Sequence, residues 1–114
     1  RYHGMAPMLS HLVHHGHVEP RAYNQKECLE AGIQFARTEG IMPAPEATHA
    51  IKGAVDEALK CKVEGNSKAI LFNLCGHGHF DMQAYMDYFS GKLAEDSFDT
   101  KAFEESMASI PAVN

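Results

Sequence analysis

Three observations predict an α/β fold of three layers, with few parallel strands flanked by helices. Residues Ala69 to Leu74 form an apolar run interrupted only at Asn73, the pattern of a strand buried on both faces. That run is followed by a glycine-containing stretch, Cys75 to Phe80, and then by Asp81 and a helix-spaced apolar face, so the order is strand, loop, helix. Upstream, Ala47, Ala50, Ile51, Ala54, Val55, Ala58 and Leu59 recur at helical spacing opposite Lys52, Asp56, Glu57 and Lys60.

The elements follow in order. Pro7 suits a first helical residue, Met8, Leu9, Leu12 and Val13 share one face, and Gly16 can end a short helix running from Pro7 to His15. Val18 to Tyr23 alternates weakly, and Pro20 restricts it to a short or edge strand. Asn24 followed by Glu27 is a capping-box variant, and Cys28, Leu29, Gly32, Ile33 and Ala36 then line a second helix at about 25 to 39, stopped near Gly40. Pro43 and Pro45 break the chain and start a third, at about 46 to 62. After a turn at Gly65, Asn66 and Ser67 and the apolar run comes a helix at about 81 to 90, capped by Asp81, carrying Met82, Tyr85, Met86 and Phe89, and stopped by Ser90 and Gly91. A last short helix, capped by Asp99 or Thr100, carries Phe103, Met107 and Ile110. The expected core is Ile33, Phe35, Ile51, Val55, Leu59, Ile70 and Phe72, with the strand at Ala69 to Leu74.

Composition bounds the function. A chain of 114 residues, 45% hydrophobic and 22% charged, is one globular domain (1-114), not a disordered segment. Its net charge of -5, from 15 acidic and 10 basic residues, argues against binding nucleic acid through phosphates. No run is long enough to span a membrane. Three cysteines, Cys28, Cys61 and Cys75, without a CxxC pair suit a reducing cytoplasm better than a disulfide framework. A chain opening at Arg1, with neither an initiator methionine nor a signal-peptide pattern, reads as a piece of something longer.

Three places could carry chemistry. The loop Cys75 to Asp81 lies beyond a strand's carboxyl end, where open α/β sheets bind ligands and where Gly76 and Gly78 let backbone approach one; equally, those glycines make a tight turn. It fits neither the P-loop nor the GxGxxG spacing. Cys75 reads either as a small apolar residue or as a thiol that hydrogen-bonds a ligand, and His77 and His79 lack a third orienting residue for a nucleophilic cysteine. His11, His14, His15 and His17 invite a metal, but no cysteine or carboxylate pair completes a tetrahedral set, so a solvated histidine face is preferred and no metal ligand is assigned. Glu46 begins a helix where the dipole favours an acidic side chain, as a first-turn acid or as a functional carboxylate.

Several motifs together carry a resemblance. Arg1-Tyr2-His3-Gly4 with Ala6-Pro7, Arg37-Thr38-Glu39-Gly40-Ile41, Pro43-Ala44-Pro45-Glu46-Ala47-Thr48-His49-Ala50-Ile51 and Phe72-Asn73-Leu74-Cys75-Gly76-His77-Gly78 resemble the C-terminal region of tryptophan synthase β chains, most closely the second, divergent type. The likeness runs from Arg1 to about Tyr88, giving a family-like region 1-90 and a tail 91-114. It implies part of the larger domain of a pyridoxal-phosphate enzyme that joins L-serine and indole into L-tryptophan and water. It further implies that Glu46 lies beside the cofactor ring, that Cys75 replaces the usual serine as hydrogen-bond partner of the pyridine nitrogen, and that Gly76 belongs to the cofactor-binding loop. A hydroxyl or thiol partner, unlike a carboxylate, leaves that nitrogen unprotonated. Arg1 stands where the main type carries an aspartate and receives no catalytic role. The Schiff-base lysine and the phosphate cradle lie upstream in the family, and none of Lys26, Lys52, Lys60, Lys62, Lys68, Lys92 or Lys101 sits in such a motif, so the isolated chain is expected to be inactive. Its implied partners are the remainder of its own β chain, a second copy in a homodimer and an α-type subunit. The alternative from a different class is a non-catalytic binding or regulatory module, metal-linked through the histidines.

Overall fold

The computed structural model describes residues 6–93 and 100–109, the side chain of Ala102 excepted. Five helices follow one another: α1 (Pro7–His14), α2 (Gln25–Glu39), α3 (Ala47–Glu64), α4 (Met82–Phe89) and α5 (Thr100–Ala108). Each lies within two residues of its expected bounds. The motif Arg1-Tyr2-His3-Gly4, Asp99 and Ile110 fall outside the described residues.

Local chemistry explains the boundaries. The Glu27 carboxylate turns back to accept from the Asn24 backbone N–H at 3.2 Å, supplying one half of a capping box for α2. Gly40 (φ 72°) and Gly65 (φ 67°) end α2 and α3 in the left-handed conformation that a glycine adopts without strain. Asp81 stands at the start of α4, yet its side chain makes no capping bond; instead its own N–H donates to the Gly78 carbonyl at 3.0 Å.

Packing centres on α2. It touches both α3 and α4, while among the described residues α1 and α5 pack against no other helix. Leu29 and Ile33 from α2 and Tyr85 from α4 form the central apolar cluster, with Met42, Tyr88 and Leu93 against it. Gly32 makes this approach possible, because a Cβ there would lie 2.5 Å from Thr48 Cγ2 and 3.2 Å from the Tyr85 hydroxyl.

The predicted sheet is not present in this segment. Among the described residues no strand forms, and the one pairing is an isolated antiparallel bridge between Pro43 and His77. Ala69 to Leu74 is neither helical nor paired, Val18 to Tyr23 likewise, and the layers are therefore helical. The physical reason is a missing neighbour: a strand exists only against another strand, and Val18 to Tyr23, carrying Pro20, does not supply one.

The expected core is corrected accordingly. Ile33 and Ile51 are buried, whereas Phe35, Val55 and Phe72 are half-buried; Leu59 is 54% exposed and Ile70 37%. Phe72 meets Phe35 edge-to-face with ring centroids 5.8 Å apart, so the apolar run touches α2 there, while Leu71 is 95% exposed. Leu59 lies on the second half of α3, where Ala58 and Lys60 beside it are exposed as well.

Candidate functional site

Glu46 and Cys75 lie 29 positions apart in sequence and are brought together by backbone. The Ala44 N–H donates to the Gly76 carbonyl at 3.1 Å, and the Gly78 N–H donates to the Met42 carbonyl at 2.8 Å. These two bonds form the bridge. Both residues lie at its Ala44–Gly76 end, Glu46 two residues after Ala44 and Cys75 one residue before Gly76. Both side chains are exposed, so their functional groups stand free at the rim of the joined loops.

The glycines in that loop serve the bridge. Gly76 holds φ at 105°, a conformation L side chains rarely adopt, and a Cβ there would press on Ala44 Cβ at 3.3 Å. A Cβ on Gly78 would run into the Pro43 carbonyl oxygen. The loop therefore is a tight turn that also lies close against a second backbone segment.

On the other side, α3 begins directly from the Pro43–Pro45 segment. The Thr48 N–H donates to the Ala44 carbonyl at 3.2 Å, and the fully buried Thr48 hydroxyl donates to the Pro45 carbonyl. Glu46 has helical dihedrals (φ -66°, ψ -41°), so its orientation is fixed by the helix start that follows it. Tyr85 closes the arrangement from α4, donating its hydroxyl to the Pro43 carbonyl at 2.6 Å. Burial, with the Asp81 carboxylate nearby, pushes that phenol up to about 12.

The histidines fall into two groups. His77 and His79 stack with centroids 4.8 Å apart, and the His79 N–H donates to His77 Nδ1 at 3.3 Å. His11 and His15 stack at 4.2 Å on and beyond α1, with His14 against His15 at 5.2 Å. Among the described residues, no group of three His, Cys, Asp or Glu side chains is placed to hold a metal ion. The three thiols are free; Cys28 and Cys61 are buried, and burial pushes the Cys28 thiol up to about 11, keeping it protonated and unreactive. Sequence reasoning placed Thr48 in a motif and Tyr85 on a helix face without giving either a role at the site. The signal was available only for Thr48, a polar residue three positions after a helix-starting proline.

No protein-family model matches the chain. Individual proteins do match. It is 58% identical over 95 residues to a tryptophan synthase beta chain 2 of Thermococcus kodakarensis, a match covering 83% of this chain and 22% of that protein. The chain matches the C-terminal region of tryptophan synthase β chains. A second tryptophan synthase beta chain 2, from Methanosarcina mazei, is 59% identical over 93 residues, which cover 82% of this chain and 21% of that protein. A tryptophan synthase beta chain of Pyrococcus horikoshii is 49% identical over 111 residues, covering 97% of this chain and 24% of that protein. The chain thus spans about a fifth to a quarter of the length of the curated relatives it matches, in their C-terminal region. Among the described residues no helix is long and apolar enough to cross a membrane.

Proposed function

We propose that this chain is the C-terminal wall of the cofactor site in a tryptophan synthase β chain, whose complete form joins L-serine to indole. The observation that carries the proposal is the identity of 58% with a β chain over 83% of these residues. The geometry supports it, because the Ala44–Gly76 bond holds together the backbone segments that carry Glu46 and Cys75. Region 1-90 would supply that wall, and 91-114 a tail.

The donor set fits pyridoxal phosphate. An exposed thiol just before a glycine held in an unusual conformation can reach a ring nitrogen, and a carboxylate belongs to the segment across the bridge. When bound, the cofactor would supply the electron sink that lets serine lose its β-hydroxyl and accept indole. Cys75 would donate its S–H to the pyridine nitrogen. Gly76, having no side chain, leaves the ring free to approach the loop. Glu46 would accept and return a proton at the reacting substrate, its position fixed by the start of α3. The Schiff-base lysine and the phosphate cradle would come from the remainder of the β chain.

The same reading accounts for the unpaired apolar run. In the complete chain Ala69 to Leu74 would take its place as a strand of a three-layer α/β domain, with its exposed Leu71 covered by other segments. Three free cysteines suit a cytoplasmic enzyme. A homodimer and an α-type subunit are the proposed partners of the complete protein.

The test uses the full-length β chain. Cys75→Ala should weaken pyridoxal-phosphate affinity by about 0.5 to 1.5 kcal/mol, the worth of one neutral hydrogen bond, and Cys75→Ser should be close to neutral. Glu46→Gln should slow tryptophan formation more than it weakens cofactor binding. Equal affinity and equal turnover in Cys75→Ala and Glu46→Gln would remove both residues from the site.

A further inference from the structure

Pro43 occupies an unusual position in the bridge. Its neighbours on both sides bond to the Cys75–Gly78 loop, Met42 through its carbonyl and Ala44 through its N–H. Pro43 itself has no N–H to give, so its carbonyl is its only backbone hydrogen-bonding group. Pro43 is buried, and water does not serve that oxygen. The Tyr85 hydroxyl does, at 2.6 Å, from a side chain that is 1% exposed and is the one buried residue of α4.

The surroundings hold the tyrosine in place. A Cβ on Gly32 would lie 3.2 Å from its oxygen, so α2 packs tightly beside the phenol, and Leu29 and Ile33 pack its ring. The hydroxyl therefore ties three helices and the bridge at one atom: α4 through its own backbone, α2 through packing, and the segment that starts α3 through Pro43. On the proposed function, that segment presents Glu46 and the opposing loop presents Cys75.

We propose that Tyr85 is a positioning residue of the β-chain site: by holding the Pro43 carbonyl it sets the register of the Glu46 turn against the Cys75–Gly78 loop. It touches neither substrate nor cofactor. Its removal leaves Cys75 before the same glycine, Gly76, but lets Glu46 drift relative to it, and a small misplacement of a catalytic group lowers the rate more than it lowers affinity. This inference rests on the β-chain reading, and its test separates the two.

In full-length protein, Tyr85→Phe keeps the ring and loses only the hydroxyl. Backbone amide exchange should accelerate about tenfold at Ala44 and Gly78, the two bridge donors, with the central amides of α3 unchanged. The kcat for tryptophan formation should fall about three- to tenfold, while the KM for L-serine and the affinity for pyridoxal phosphate stay within about twofold. Gly32→Ala, which pushes on the same hydroxyl from α2, should reproduce both effects and serves in its place if Tyr85→Phe does not fold. Unchanged exchange at Ala44 and Gly78 overturns the clamp. Faster exchange throughout the molecule with kcat per bound cofactor unchanged assigns Tyr85 to general stability and also overturns the proposal. If the parent protein itself makes no tryptophan, the β-chain reading falls, and the two amides alone decide whether the clamp exists.

Discussion

Thr48 and Gly32 meet where α2 crosses the start of α3, and neither can be enlarged. Thr48 is completely buried with its hydroxyl satisfied by Pro45, and the missing Cβ of Gly32 is the space its methyl fills. Gly32→Ala in the full-length chain should lower stability by about 1 to 3 kcal/mol through overpacking, although alanine is the better helix former. Urea denaturation checks this; a stabilised variant would show that α2 has room to move. Legibility in the sequence was uneven at this scale. Cys75 and Glu46 could be singled out because one follows the expected strand and the other begins a helix, and the bridge brings their neighbours together. The contact at Gly32 could not, since periodicity gives a face but never the residue that faces it.

Helices were legible as elements because their determinants are local. A capping glutamate, a run of i, i+3, i+4 apolar positions and a terminal glycine all act within a few residues, and α2 and α3 obey them. The strand was not, because its pairing partner is a separate stretch of chain and no local pattern shows whether that stretch is present. Long-range ties of another kind do hold α3 to its flanks. Glu57 accepts from Lys68 at 3.2 Å and from Arg21 at 3.4 Å, joining the segments before α2 and after α3. Its carboxyl is held below the usual glutamate range, first by the Lys68 hydrogen bond and then by that ammonium's charge, with a hydrogen bond from Arg21 and the charge of Lys60 adding to the effect. A folded value below the unfolded one gives stability that is present above the unfolded value and is lost as pH falls through the folded one. Glu57→Gln should therefore be less stable than the parent at neutral pH, with the difference closing in acid below the carboxylate range and shrinking in high salt. A difference that persists unchanged in acid would mean that packing, not charge, is what Glu57 supplies.

At the level of the whole chain, the dimensions disagree with those of a self-sufficient domain. The radius of gyration is 16.8 Å, against about 13 Å for a compact chain of this length. Leu71 and Phe80, 95% and 91% exposed, sit on the same side of the sequence as the unpaired run, and Val63 and Met86 are also open. These are large apolar side chains that a lone domain would ordinarily cover in greater part. The 114 residues on their own should bind the dye ANS, and Leu71→Lys with Phe80→Ser should cut that fluorescence while far-UV circular dichroism keeps its helical signal. Fluorescence no greater than that of a stable globular control would mean that the surface is already covered.

The bridge also sorts the loop's positions by what descent can do with them. At position 75 nothing in the backbone restricts the side chain, and a thiol and a hydroxyl are one nucleotide apart in the genetic code. At positions 76 and 78 almost any inherited change is closed, by a φ of 105° at one and by the Pro43 carbonyl at the other. A lineage can thus trade the chemistry of its donor while the frame that presents the donor stays frozen.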